Sequence, residues 1–129
     1  MKHAPDRLAV SLALAVLPLA SGCLAVAGAA AGGAGVAYAM GEFEATVEGG
    51  PKQAVEAARR ALDELDIHLV ASDSTSVDGR VEGRTALDKK VTIAATRVDE
   101  QRTRLEIRVG TWGDEDLSRR IYEEIVDRL

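Results

Sequence analysis

Residues 90–109, KVTIAATRVDEQRTRLEIRV, decide the fold. Apolar and polar side chains alternate in two runs, which is typical of strands with one buried face. The apolar members of the two runs are Val91, Ile93, Ala95, Leu105, Ile107 and Val109. The polar residues from Asp99 to Arg102 separate the runs and indicate a turn. The stretch therefore predicts an antiparallel hairpin with one apolar face.

Three further segments alternate in the same way. They are EFEATVE at 42–48, IHLVAS at 67–72 and RVEGRTA at 80–86. The turn-rich DSTSVDG segment and the Leu87-Asp88-Lys89 turn connect the later strands. Because these turns are short, we expect strands two to five to form an antiparallel meander.

Two amphipathic helices complete the pattern. The first begins at Pro51 and runs to about Asp66, and the second begins after Asp114, a good N-cap. The element order β-α-β-β-β-β-α predicts an α+β two-layer sandwich for residues 42–129, with an antiparallel sheet of four to five strands covered by two helices. The order resembles a small helix-grip arrangement, as in the repeat domains of the lipoprotein component of the outer-membrane barrel-assembly machine.

The N-terminus is typical of an export signal. Residues 1–22 contain basic side chains, then an apolar run from Leu8 to Leu19 that is too short for an ordinary membrane span. Small residues follow, and directly after them comes Cys23, the only cysteine. A signal with a cysteine near its cleavage site by chance, or a membrane helix, would be the alternatives.

The segment LASGC at 19–23 resembles a bacterial lipobox. The resemblance implies cleavage between Gly22 and Cys23, a diacylglycerol on the Cys23 thiol and an acyl chain on its new amino group. Such a double anchor holds a chain stably on a membrane. The next residue is Leu24, not Asp, which by resemblance to enterobacterial sorting implies the periplasmic face of the outer membrane rather than the inner membrane.

Residues 24–41, LAVAGAAAGGAGVAYAMG, carry no charge. Small residues recur four apart, as at Gly28 and Gly32, which is a weak indication of a glycine-zipper helix that inserts and oligomerises. The simpler interpretation is a Gly/Ala-rich tether, 23–41, between the anchor and the folded domain. Both interpretations remain open at this point.

A second resemblance covers nearly all of the exported chain. The lipobox, the Gly/Ala segment ending in Tyr38, the acidic first strand and the C-terminal IRVGTWGDEDLSRRIYEEI at 107–125 resemble the domain-of-unknown-function-3568 family of small bacterial lipoproteins. The resemblance implies an architecture and a location, and no activity.

The candidate binding surface consists of residues of the C-terminal pattern together with Arg104, which comes just before it. Its residues are Arg104, Arg108, Trp112, Arg119 and Arg120. In one interpretation Arg119 or Arg120 binds an anion at the strand-to-helix corner. In the other the corner is structural: glycines make the turn, Trp112 covers the core, Asp114 caps the helix and the arginines form ion pairs.

The composition argues against several classes of function. The net charge of −5 lacks the basic excess of a nucleic-acid-binding protein. One cysteine, His3 and His68 are too few for an ordinary zinc site. Ser72, Ser74 and Ser76 lack a nucleophile motif, and Glu42, Glu44 and Glu48 fit the solvated face of a strand. We therefore expect no enzyme, no metal and no cofactor other than the lipid.

These observations predict a membrane-anchored periplasmic lipoprotein that acts as a non-catalytic interaction or scaffold protein. Its partners would be the membrane, through the lipid anchor, and another envelope protein or a second copy of the chain, but not nucleic acid. A binding module for a lipid or other apolar ligand is the first alternative, and a glycine-zipper membrane oligomer is the second.

Overall fold

The computed structural model describes residues 29–30 and 34–129. The predicted signal, its cleavage site at Gly22 and the lipid-bearing Cys23 lie outside the described residues. The described elements, in chain order, are β1 (Ala29–Ala30), β2 (Ala34–Ala39), β3 (Glu42–Glu48), α1 (Pro51–Glu64), β4 (His68–Ser74), β5 (Asp78–Arg84), β6 (Lys90–Arg97), β7 (Arg102–Val109) and α2 (Glu115–Val126).

One open antiparallel sheet with the strand order β1-β2-β3-β7-β6-β5-β4 forms the first layer. The two helices form the second layer, on one face of the sheet. Helix α1 contacts β4, β5 and β6, and α2 contacts β3, β7 and α1. The predicted α+β class and the antiparallel meander β4 to β7 are therefore confirmed.

The predicted strand number is wrong. The described part of the sheet has six full strands, extended at one edge by the two-residue β1, instead of four to five. The additional full strand is β2, which lies within the segment that we had assigned to the tether. Val36 pairs with Ala45, and Tyr38 pairs with Phe43. The side chains of Val36 and Tyr38 pack against the core.

The strand β2 also bears on the glycine-zipper interpretation. Gly35 lies in β2, so a helix over the whole of 24–41 is wrong for residues 34–39. The positions Gly28 and Gly32, which carried the spacing, lie outside the described residues. Within residues 29–30 and 34–129, no helix is long and apolar enough to span a bilayer.

The core lies between the sheet and the helices and is mainly aliphatic. The sheet contributes Phe43, Ala45, Val47, Val81, Val91, Ile93, Ala95, Leu105, Ile107 and Val109, and the helices contribute Ala54, Val55, Ala57, Ala58, Ala61, Leu62, Ile121 and Ile125. Every strand residue here belongs to the predicted apolar face, because alternation places every second side chain on one side. Burying a large aliphatic side chain contributes about 1.5–3 kcal/mol.

Helix α1 approaches the sheet closely at β5. A Cβ atom at Gly79 would lie 2.5 Å from Val55 Cγ2. The missing side chain thus lets the helix pack directly on the strand. The space between the layers is filled by core side chains at this point.

Candidate functional site

The sheet face that points away from the helices, here called the outer face, is polar. Its central residues come from β3, β7, β6 and β5 and are Glu42, Glu44, Thr46, Arg104, Glu106, Arg108, Thr92, Ala94, Thr96, Arg80 and Glu82. They alternate with the buried core residues on the same strands. The register aligns them in rows across the sheet, such as Glu44, Glu106, Ala94, Arg80 and Asp73.

Ion pairs connect the strands along this face. Arg108 Nε lies 3.7 Å from Glu42 Oε2, and Arg104 Nε lies 3.5 Å from Glu44 Oε1. Such exposed pairs are each worth little, at most about 1 kcal/mol. They leave both signs of charge displayed to solvent on the outer face.

Glu82 is the most densely paired carboxylate of the outer face. Arg80 Nε donates to it at 3.0 Å, and Lys90 Nζ lies 3.8 Å away. The hydrogen bond from Arg80, followed by the charge of Lys90, lowers the pKa of Glu82 from its ordinary value of 4.5. This carboxylate is satisfied within the chain.

Glu106 differs from the other carboxylates of the outer face. It is half-buried and lies directly opposite Glu44 across the β3–β7 ladder, which places two like charges side by side. Its neighbour on β6 is the small residue Ala94. No ion pair to Glu106 occurs within the described part of the chain, where Arg104 and Arg108 pair with Glu44 and Glu42 instead.

The structure divides the predicted binding surface into separate regions. Arg104 and Arg108 lie on the outer face, whereas Arg119 and Arg120 are exposed on α2, in the other layer. The sheet therefore separates the two pairs of arginines. They cannot bind one small ligand together.

The arginines of α2 differ in their contacts. Arg119 Nη2 donates to Glu115 Oε1 at 2.8 Å, and the Arg119 guanidinium carbon lies 5.8 Å from the centroid of the Phe43 ring. Arg120 is exposed. The ion pairs expected of these arginines with acids four residues before them are therefore confirmed for Arg119 with Glu115, whereas no pair of Arg120 with Asp116 occurs among the described residues.

Trp112 does not cover the core, so that part of the structural interpretation is wrong. Its side chain is 90% exposed. The aromatic contact in this region is instead made by Tyr122 and Phe43, whose ring centroids are 5.2 Å apart. Burial raises the pKa of the Tyr122 phenol.

The helix cap and the glycine turns expected at the corner are confirmed. The Asp114 side chain accepts a hydrogen bond from the backbone N–H of Leu117 at 3.0 Å, as an N-cap does. Gly113 has a φ of +87°, and a Cβ there would lie 2.3 Å from Gly41 Cα. Arg108 Nη2 donates to the carbonyl of Met40 at 3.1 Å. The β2–β3 turn and the β7–α2 turn are thereby packed against each other.

Sequence reasoning did not identify Leu87 as an exposed apolar side chain at this end of the sheet. Met40 and Leu87 are 96% and 82% exposed, at the tips of two turns. Neither residue belongs to a periodic pattern. The sequence feature that could have indicated exposure is the position of Leu87 in a turn, directly before Asp88 and Lys89.

The residues considered for chemistry lie apart at the surface. His68 is exposed on the edge strand β4, and Ser72, Ser74 and Ser76 are exposed as well. Among the described residues there is no group of three or more His, Cys, Asp or Glu side chains that could hold a metal ion. The expectation that the chain is not an enzyme stays a prediction.

The protein is thus a small two-layer α+β domain, in which one face of the sheet is covered by helices and the other face is polar. The chain belongs to the family described as protein of unknown function (DUF3568), whose family profile matches residues 7–128. The predicted family resemblance is therefore confirmed. A search of curated protein sequences finds no match to this chain.

Proposed function

We propose that the protein is a non-catalytic lipoprotein of the bacterial cell envelope that binds another envelope protein through the outer face of its sheet. Diacylglycerol and an acyl chain on Cys23 would anchor it at the periplasmic side of the outer membrane. No cofactor beyond this lipid enters the proposal. The family, whose activity is unknown, is compatible with such a role.

The observation that carries the proposal is the position of Glu106. Glu106 stands opposite Glu44 on β3 and Ala94 on β6, in the middle of the outer face. Opposed like charges cost stability in the isolated sheet. A basic side chain from a partner would find the Glu106 carboxylate there, and the small neighbour Ala94 leaves room for it. The flanking Thr92, Thr96 and ion-paired arginines would supply the polar rim of such an interface.

The alternatives have less support. An apolar ligand would need space between the sheet and the helices, but core side chains fill that region at the contact of Val55 with Gly79. A glycine-zipper oligomer would use residues that include Gly35, which lies in β2. No specific observation favours either function.

Glu106→Gln tests the interface directly. The substitution removes one of two opposed charges, so we expect the free energy of unfolding to stay equal or to rise by a few tenths of a kcal/mol. Recovery of the partner after in-cell crosslinking of the tagged chain should fall. The matched control is Glu123→Gln, an exposed carboxylate on α2, which should leave recovery unchanged.

A photo-crosslinking residue locates the contact independently. Placed at Ala94, it should capture a recurrent envelope protein, whereas placed at Gln53 on α1 it should not. Equal capture at both positions, or unchanged recovery with Glu106→Gln, would refute the outer face as the interface.

The anchor is tested separately. The N-terminal peptide of membrane-extracted protein should begin at Cys23 and carry the mass of diacylglycerol plus one acyl chain. Cys23→Ser should move the chain out of the membrane fraction. An unmodified Cys23 in the mature protein would contradict the anchor, without deciding the role of the outer face.

A further inference from the structure

The three most exposed of the large apolar side chains in the described residues lie at one end of the sheet. They are Met40, Trp112 and Leu87, which are 96%, 90% and 82% exposed. Met40 follows β2, Leu87 follows β5 and Trp112 follows β7. In the antiparallel order of the sheet these three strands run in the same direction, so their following turns meet at one end. We call Met40, Leu87 and Trp112 the apolar tips.

Three basic side chains and the carboxylate of Asp88 lie beside Trp112. Arg84, Lys89 and Lys90 line a shallow hollow that Trp112 also lines. Lys89 pairs with Asp114 at 3.5 Å and Arg84 with Asp88 at 3.5 Å, and all four side chains are partly open to solvent. Such surface pairs are weak, and the cations can exchange their partners for lipid phosphates. Trp beside Lys and Arg is the combination that membrane–water interfaces favour.

The N-terminal end of β1, on the side of the predicted anchor in the sequence, points towards the same end of the sheet. Strand β2 runs towards Met40, and β1 is antiparallel to it, with Ala29 opposite Gly35. The chain therefore enters Ala29 from the side of the apolar tips. Five residue steps of strand, about 17 Å, separate Gly35 from Met40. The six steps from Cys23 to Ala29 can span at most about 21 Å.

We propose that the end of the sheet with the apolar tips lies on the lipid surface to which the chain is anchored. Trp112, Met40 and Leu87 would enter the headgroup region, and Lys89 would face lipid phosphates. The orientation rests on the proposed anchor at Cys23, whereas the apolar tips are observed independently of it. A bilayer suits three apolar side chains on separate turns, because each tip can insert on its own. The outer face of the sheet would then stand roughly perpendicular to the membrane and remain accessible.

Trp112 is the only tryptophan of the chain and reports on this contact. The full chain, extracted from membranes, would be reconstituted into vesicles of phosphatidylethanolamine and phosphatidylglycerol with brominated acyl chains. We expect the Trp112 emission to shift to shorter wavelength and to lose at least half of its intensity relative to vesicles without bromine. The double variant Met40→Ser/Leu87→Ser should lose most of this quenching.

The control variant is Val77→Ser/Val98→Ser, which changes exposed apolar residues in the turns at the opposite end of the sheet. It should keep the quenching. A chain that floats with the vesicles while Trp112 remains unquenched overturns this inference alone. A chain that does not float overturns the anchor as well. A photo-crosslinker at Leu87 that captures an envelope protein instead of lipid would also overturn it.

Discussion

Ser118 is a polar side chain in an apolar place. It is fully buried on α2, and its hydroxyl has no hydrogen-bond partner among the described residues. An unsatisfied buried hydroxyl costs about 1–3 kcal/mol. We expect Ser118→Ala to raise the free energy of unfolding by about 1 kcal/mol, since alanine also has the higher helix propensity. Urea unfolding measures this, with the exposed Ser72→Ala as control. A destabilised Ser118→Ala would mean that the hydroxyl is satisfied.

A comparison of alanine substitutions at Gly113 and Gly110 separates the cost of backbone strain from the cost of steric crowding. Both have positive φ, +87° and +69°, but a Cβ at Gly113 would lie 2.3 Å from Gly41 Cα, whereas one at Gly110 would meet nothing within 4 Å. Gly110→Ala should cost about 1–2 kcal/mol from backbone conformation alone. Gly113→Ala should cost clearly more, because the two turns must separate. Equal midpoints of thermal unfolding for Gly110→Ala and Gly113→Ala would contradict the close packing of the β2–β3 turn against the β7–α2 turn.

Residue-level prediction from sequence succeeded where a single local rule decides. Asp114 was predicted as an N-cap because a carboxylate before a helix has one obvious use there. The exposure of Trp112 could not be predicted in this way. Whether a large side chain in a turn covers the core or projects into solvent depends on positive φ values and on how two turns pack. Neither is encoded in local spacing.

At the scale of elements, β2 has an unusual composition. Val36 and Tyr38 pack on the core, while the outward residues Ala37 and Ala39 are small and apolar. The usual contrast between apolar and polar positions is therefore missing, and the period of two that revealed β3 and β7 is hidden. Pairing with β3 defines this strand, and pairing is a long-range property.

Val36→Ser tests whether β2 belongs to the folded sheet. The substitution places a hydroxyl against the core, and we expect a loss of about 1–2 kcal/mol in the free energy of unfolding. The control Ala37→Ser lies on the outward side of the same strand and should change stability by less than about 0.5 kcal/mol. Denaturant unfolding in which both variants match the parent would show that β2 does not contribute to the fold.

The ion pairs of β5 and β6 predict a pH effect. The folded-state pKa of Glu82 is lowered by Arg80 and then by Lys90. Its contribution to stability is therefore present above the ordinary value of 4.5 and is lost as the pH falls through the lower folded value. Arg80→Gln should raise the Glu82 pKa towards 4.5, as measured by a carboxyl NMR titration. Arg59→Gln on α1 is the control, and a Glu82 pKa unaffected by Arg80→Gln would contradict the pairing.

At the scale of the whole molecule, the two faces of the sheet have different surroundings. The helices cover one face of the sheet and complete the core, and the outer face is left polar. The apolar tips occupy one end of the sheet, and the N-terminal end of β1 points towards that end. The core and the polar outer face could both be predicted from the sequence, because successive side chains of a strand point to opposite faces of the sheet. The position of the apolar tips follows from the order of the strands in the sheet. The sequence predicted the order of β4 to β7 as a meander, but it did not predict that β3 pairs with β2 and β7.

This arrangement predicts an order of local stability. Strand β7 pairs with β3 and β6 and is covered by α2, whereas β4 is an edge strand with a register shift between Leu69 and Ala71 and mostly exposed side chains. Local opening is easiest where few apolar contacts are broken. We therefore expect amides of β7 to exchange hydrogen only through global unfolding, and amides of β4 to exchange much faster. Hydrogen-exchange mass spectrometry at several denaturant concentrations separates the two cases. Protection of β4 equal to that of β7 would mean that another chain covers this edge in solution, and dilution should then restore the difference.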